Sequence, residues 1–430
     1  MRRVRWLGLG LGLLVPWSSG FADDPASGDV LTRLRAAVSA AVETSPDRRA
    51  EEARVDLEQA EALAGVAVLS PYVEWQREGI GGGWSREPNA QDAVRVGSSI
   101  RLWSFGSARR VSEAADELQL VGHEAARREV AAAVSGVWIE TAEIAARRRL
   151  VEDRLERLDR ALNLLEARFQ LGEVAGIEVR QLDLEHVRAT SAAEKLAAEE
   201  AAALARLRRW AGASAPTPRA GDLEELIALT STPPIEAAIP DTATLRRLAV
   251  HRRNLAAEAA DVQSGRAWGD PIAEVEWERI PDLAGAAGFD AWGFRVGLPL
   301  PVGAAGRERK VEAGARQRLA DSALATEEAR LEARHAAARA RAEAAERRLA
   351  ALRPAVASMP ETERSLTEQF RLGAVSYLVL VDGLDRLDEV RLETTTAQAD
   401  LLAARLELAV LLDREDAFPV LPDGVVEDSR

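Results

Sequence analysis

The residue types that most often carry chemistry are sparse or badly spaced in this chain. It contains no cysteine, which excludes disulfides, thiolate metal sites and a cysteine nucleophile. The pair His123-Glu124 lacks the second histidine of the HExxH motif of zinc proteases. Because the other histidines are scattered, we predict no histidine-rich metal site; they are His186, His251 and His335.

Motifs for nucleophilic and phosphate chemistry are absent from the sequence as well. The chain has neither a Gly-x-Ser-x-Gly nucleophile elbow nor a GxxxxGK[ST] phosphate loop. Its many carboxylates fall in helical patterns, where a solvated charged face is the ordinary explanation. The formal net charge of -14 disfavours nucleic-acid binding, which needs a basic face. The sequence therefore predicts a protein that is not an enzyme, has no cofactor and does not bind nucleic acid.

The amino terminus has the three-part pattern of a secretory signal peptide. Arg2, Arg3 and Arg5 precede an apolar run, and a stretch of small residues ends at Ala22. We predict cleavage after Ala22 and export of the remainder. The alternative is an uncleaved anchor helix, although the apolar run is short for a membrane span.

The sequence is internally duplicated. Arg168-Phe169-Gln170-Leu171-Gly172 matches Gln369-Phe370-Arg371-Leu372-Gly373 at an offset of 201 residues, and Val111 matches Val311 at an offset of 200. The alternative is a pair of unrelated coiled coils. The duplication predicts a signal peptide (1–22), a first repeat (23–212), a linker (213–240), a second repeat (241–414) and a C-terminal tail (415–430).

Each repeat predicts a helix, two strands, a very long helix, a glycine break and a second long helix. Pro46 is expected to open a new helical segment, while Pro354 and Pro360 are expected to interrupt the long helix of the second repeat. The predicted ranges are 27–64, 66–77, 93–103, 108–170 and 177–212 in the first repeat, and 241–264, 271–280, 290–300, 304–371 and 377–414 in the second.

The four predicted strands alternate between apolar and polar residues. In the strand at 290–300, Trp292, Phe294 and Val296 point to one face and Arg295 to the other. This alternation fits a half-buried strand of a soluble sandwich, and it equally fits a barrel strand with lipid on one side and water on the other. Tryptophans cluster in or beside the strands, as in interfacial belts; these are Trp75, Trp84, Trp103, Trp268, Trp277 and Trp292.

Four strands are too few to close a barrel, because the smallest common barrels have about eight. Open sheet edges are not tolerated in lipid, so copies of the chain must share the barrel. Two copies would supply eight strands and three would supply twelve. Glycine-rich segments at 79–83 and 284–288 are predicted to be exposed turns between the paired strands.

Several of these residues give a resemblance to a known family. Arg168-Phe169-x-x-Gly172 followed by Ile177-Glu178-Val179, its counterpart at 370–382, and Leu298-Pro299-Leu300-Pro301 before Gly306-Arg307 resemble TolC-like outer-membrane efflux proteins. The resemblance implies an α+β membrane protein: a trimeric 12-stranded outer-membrane β-barrel continued by a long periplasmic α-helical barrel. It implies the passive exit duct of a tripartite efflux or type I secretion system. Its partners would be outer-membrane lipid, a periplasmic adaptor (membrane fusion) protein and an inner-membrane pump.

The resemblance also assigns roles to the hairpin tips. Gly172 and Gly373, with Leu171 and Leu372, would contact the adaptor, and the glycines would adopt a positive φ or form plain helix caps.

Three further residues would form the periplasmic aperture. Asp382 would contribute to a ring of three carboxylates that favours cations. Val379 stands where the family often has a second acid, so the ring is thinner here. Glu178 would pair with a tip arginine such as Arg371. The alternative reading of both acids is a solvated helix charge, and the alternative reading of the whole chain is a soluble periplasmic coiled-coil scaffold.

Overall fold

The chain folds as two long helical hairpins joined to one small sheet. The computed structural model describes residues 29–66, 69–78, 91–100, 105–233, 238–265, 267, 271–280, 287–297, 304–414 and 416–419. Several predictions lie outside these residues: the signal peptide, the 79–83 turn, most of the 284–288 turn and of the tail, the strand exit at 298–301, and Trp84, Trp103 and Trp268.

The elements follow in the same order in both repeats, except that the first repeat begins with two helices and the second with one. The first repeat contains α1 (Val30–Thr44), α2 (Pro46–Val66), β1 (Leu69–Glu78), β2 (Gln91–Ile100), α3 (Phe105–Gln170) and α4 (Gly176–Ala211). A short helix, α5 (Asp222–Leu229), follows. The second repeat contains α6 (Thr244–Gly265), β3 (Ile272–Ile280), β4 (Phe289–Gly297), α7 (Ala304–Arg371) and α8 (Tyr377–Leu412).

Three details differ from the sequence-based expectation or refine it. Pro46 begins α2 as predicted, and the Ser45 hydroxyl accepts hydrogen bonds from the backbone N–H groups of Asp47 and Arg48. Pro354 and Pro360 do not interrupt the long helix, because α7 continues through both. The segment expected to be only a linker contains α5.

The sheet is antiparallel, with strand order β1-β2-β3-β4, so the two repeats meet where β2 pairs with β3. The register aligns Val73, Val96, Val275 and Phe294 in one row across the sheet. Trp75, Trp292 and Phe294 are well exposed on this apolar face. Among the described helices, none is long and apolar enough to cross a membrane.

The long helices form a layer in which α3 packs against α4 and α8, and α8 packs against α7. The order across the layer is therefore α4, α3, α8, α7. The α3 and α7 helices contain 66 and 68 residues, which corresponds to roughly 100 Å each. The sheet-side half of α3 packs against α2 through Val55, Val111 and Leu118. Its other half packs against α4.

A buried ion pair fixes α5 to this layer. Arg33 of α1 forms two hydrogen bonds with Asp222 of α5, at 2.6 and 3.1 Å, and a third with the Thr217 carbonyl at 3.1 Å. The Arg33 guanidinium also lies 5.8 Å from the ring centroid of Trp138 in α3. Both charged side chains are almost fully buried. The pair therefore holds α5 against α1 and α3.

Replacing Asp222 by alanine should lower the free energy of unfolding by about 3–5 kcal/mol, because it leaves Arg33 as an unpaired buried charge. The measurement is thermal unfolding of the detergent-solubilised protein, followed by helical circular dichroism. The double variant Arg33→Met/Asp222→Leu is the control and should recover most of the loss, since it leaves no buried charge. Equal losses in both variants would contradict this explanation.

Candidate functional site

The candidate site is the end of the layer at which the two helical hairpins reverse direction. At the first tip, the Gly172 N–H donates to the Phe169 carbonyl and the Glu173 N–H to the Arg168 carbonyl, both at 2.9 Å. These are the two hydrogen bonds of a Schellman cap, which requires a left-handed residue. Gly172 supplies it with a φ of 74°. The predicted positive φ is confirmed.

The second tip has the same cap 201 residues later. Gly373 has a φ of 72°, and its N–H donates to the Phe370 carbonyl at 3.0 Å. The Ala374 N–H donates to the Gln369 carbonyl at 2.9 Å. The two hairpins therefore reverse by one mechanism, and a side chain larger than hydrogen at either glycine would be strained.

Both tips present leucine to solvent. Leu171 is 74% exposed and Leu372 is 68% exposed, and each directly precedes its capping glycine. Ile177 and Leu378, at the starts of α4 and α8, are also exposed. Large apolar side chains that cluster on a surface mark a site of interaction.

Beneath the exposed surface, the two tips pack on each other. Phe370 and Tyr377 of the second hairpin are buried against Leu158, Leu165 and Leu182 of the first. The Arg168 guanidinium lies 5.5 Å from the ring centroid of Phe370 and donates to the Arg371 carbonyl at 3.3 Å. The apolar contact and the cation–π contact together hold the hairpins side by side.

A group of charged residues, here called the ion cluster, joins α3 to α8 above the tips. Arg154 lies 2.9 Å from Asp385 and 3.5 Å from Glu185 of α4. Arg157 lies 2.5 Å from Asp388. All four helices of the layer contribute; the members are Arg154, Arg157, Glu185, Glu363, Asp385, Asp388 and Arg391.

Asp388 is the most buried acid of the ion cluster, with its side chain only 8% exposed. It accepts hydrogen bonds from Arg157 at 2.5 and 2.7 Å and from Arg391 at 3.2 Å. Arg391 in turn lies 2.7 Å from Glu363 of α7. Because Asp388 and Arg391 each have two partners of opposite charge, the cost of burying them is offset by several interactions at once.

Asp385 differs from Asp388 because, among the described residues, it has a single arginine partner, Arg154. Burial raises the pKa of its carboxyl, and the opposing effect of Arg154 is smaller. The hydroxyl of Tyr377 is buried and forms no hydrogen bond within the part of the chain that the structure describes. Burial, with the nearby charges of Glu185 and Asp385, also raises the pKa of Tyr377. Relative to the unfolded chain, the fold therefore shifts both Asp385 and Tyr377 towards their neutral forms.

The predicted aperture residues lie near the ion cluster but outside it. Asp382 is an exposed residue of α8, 2.9 Å from Arg386 one turn further along. Glu178 is partly buried in the first turn of α4. The expected pairing of Glu178 with Arg371 is wrong: Arg371 pairs with Glu368, at 2.8 and 3.0 Å, because that carboxylate lies one turn earlier on the same helix.

The ion cluster was not identified from the sequence. Its only sequence signature is the spacing of Arg154 with Arg157 and of Asp385 with Asp388, which places each pair on one helical face. In the described residues, no group of three or more acidic or histidine side chains is arranged to hold a metal ion.

Comparisons with known proteins identify the fold. No protein-family model and no curated protein matches the chain. Its structure is similar to CusC, whose structures describe transmembrane channel formation, with a TM-score of 0.68 over 88% of this chain and 92% of that one at 16% identity. It is similar to the outer membrane protein VceC of Vibrio cholerae, with a TM-score of 0.67 over 88% and 96% at 17% identity.

The CmeC outer membrane channel of Campylobacter jejuni is also similar, with a TM-score of 0.67 over 91% of this chain and 87% of that one at 11% identity. This chain has the fold of the outer-membrane channels. The resemblance to TolC-like proteins is thereby confirmed at the level of the fold. The likeness extends over nearly the whole length of both chains.

Two substitutions in the ion cluster should have opposite effects at neutral pH. Asp388→Asn should lower the free energy of unfolding by roughly 2 kcal/mol, because two arginines lose a charged acceptor. Asp385→Asn should leave stability unchanged or raise it, because the fold already favours the neutral form of this group. Thermal unfolding of both variants provides the measurement.

The raised pKa of Asp385 also fixes the sign of its pH dependence. The folded protein binds the proton of Asp385 more tightly than the unfolded chain does. The stability of the fold therefore decreases as pH rises from the unfolded pKa to the folded pKa of this group. Asp385→Asn should remove this contribution and flatten the pH profile of the melting temperature. An Asp385→Asn variant that is as unstable as Asp388→Asn would contradict the assignment.

Proposed function

We propose that three copies of the chain form a passive outer-membrane exit duct. Each copy contributes its four-stranded sheet to a 12-stranded barrel in the outer membrane, and the helical hairpins continue as a tunnel into the periplasm. The fold of the outer-membrane channels supports this function. The duct supplies a water-filled path, and an inner-membrane pump supplies the energy for transport through it.

The sheet is the observation that carries this proposal. Its apolar face exposes Val73, Trp292 and Phe294 to the surroundings of the single chain. Among the residues that the structure describes, its edge strands, β1 and β4, have no further strand beside them in one copy. Sharing the sheet among copies pairs these edges and places the apolar face in lipid. The number three rests on the resemblance to the TolC family, since two copies would already supply eight strands.

The hairpin tips are the proposed contact with a periplasmic adaptor protein. Leu171 and Leu372 are exposed beside Gly172 and Gly373, and the shared cap gives each copy two tips of the same shape. A trimer would present six such tips. An adaptor that binds the leucines would connect the duct to the pump of a tripartite efflux or type I secretion system.

The aperture is proposed to lie at the same end. The ion cluster holds the two hairpins of each copy together and so favours the closed arrangement. Asp382 remains exposed beside it and would form a ring of three carboxylates that selects cations. Glu178 and Arg371 are proposed to lie at the same aperture as separate charges.

Ion conductance through planar lipid bilayers tests the proposal. The purified protein should produce discrete channels that prefer potassium over chloride, because the aperture carries carboxylates. Asp382→Ser should reduce this preference, since it removes one charge from each copy. The reversal potential across a salt gradient provides the measurement.

Asp241→Ser is the matched control. Asp241 is exposed and lies 2.7 Å from Arg246, much as Asp382 pairs with Arg386, but it precedes α6 and is far from the tips along the chain. This variant should retain the cation preference. Channels that are equally selective after Asp382→Ser would remove Asp382 from the ion path, and a protein without any conductance would contradict the duct.

A further inference from the structure

The internal duplication relates the α3–α8 contact within one chain to a second helix contact that can form only between two chains. An offset of 201 relates the two hairpins, so α3 corresponds to α7 and α4 to α8. The counterpart of the α3–α8 contact is therefore a contact between α7 and α4. Within one chain these two helices lie on opposite outer sides of the layer.

The residues at this missing contact differ in chemistry from the ion cluster. Asp385 and Asp388 of α8 correspond to Leu184 and Val187 of α4. Arg154 and Arg157 of α3 correspond to Ala355 and Ser358 of α7. These four charged residues of the α3–α8 contact thus all have small or apolar counterparts.

These counterparts are exposed in the single chain, whereas the residues of the ion cluster are partly or fully buried. Leu184 is 59% exposed and Val187 is 57% exposed, and Ala355 and Ser358 are exposed on α7. Leu184 and Val187 are three residues apart and form one stripe with Ile177, which lies about two helical turns before Leu184. A stripe of large apolar residues along a helix without a partner indicates a surface that is covered in the assembly.

A second pair of counterparts gives the same result at the tip. Phe370 is only 4% exposed, because it packs in the apolar cluster between the hairpins and Arg168 of the same chain lies over it. Its counterpart Phe169 is 47% exposed. The residue that corresponds to Arg168 is Gln369 of α7, so an adjacent copy would place Gln369 beside Phe169.

We infer that α4 of each copy packs against α7 of the next copy through Leu184 and Val187, opposite Ala355 and Ser358. This inference rests on the proposed duct. It assigns a different chemistry to the helix contacts within a chain and to those between chains. Within a chain the α3–α8 contact contains the ion cluster, whereas the corresponding positions of the α4–α7 contact between chains are small or apolar.

Cross-linking tests this arrangement directly, because the chain has no cysteine of its own. The double variant Leu184→Cys/Ala355→Cys, treated in the membrane with a short bismaleimide, should give covalent trimers as the main product on a denaturing gel. Arg157→Cys/Asp388→Cys should give monomers with an internal link, since these positions face each other within one chain.

The matched control is Leu57→Cys/Ala355→Cys. Leu57 is 58% exposed, as Leu184 is, but lies on α2 rather than on the proposed contact. It should give no covalent trimer. Two results would overturn the inference while leaving the duct in place, provided that the native mass is that of three copies. One is no covalent product from the Leu184 pair, and the other is an equal amount of product from the Leu57 pair. A native mass of one copy would contradict the duct itself.

Discussion

The packing of α3 against α8 is the interaction on which the rest of this structure depends. It is the contact between the long helical hairpins of the two repeats, and its character changes along its length. Around Trp138 it is apolar, with Ala399, Leu402 and Leu406 of α8 in the same core. Above the tips it also contains ion pairs, such as the one between Arg157 and Asp388. Burial of apolar side chains therefore stabilises the middle of the contact, and ion pairs contribute above the tips.

The two repeats have the same backbone but different surfaces. Both tips end in the same glycine cap, because that geometry needs a residue without a side chain at a positive φ. The side chains above the caps have diverged, and acids in one repeat stand where the other has leucine and valine. Duplication followed by this divergence gives the two hairpins of one chain different surfaces on the same backbone.

The sequence predicted those features that depend on local chemistry. Pro46 after Ser45 identified a helix start, and Gly172 and Gly373 identified the tips, because each residue has a conformational preference of its own. The ion cluster was missed because its partners, Arg154 and Asp385, are 231 residues apart and meet only through packing. The pairing proposed for Arg371 was wrong for the opposite reason: a nearer carboxylate was available on its own helix.

The central claim is that the sheet of one copy is completed by other copies in a membrane. The most direct measurement is the native mass of the protein after extraction from outer membranes in mild detergent. The proposed duct predicts a particle of three copies that is released only by detergent. A monomer released without detergent would contradict it.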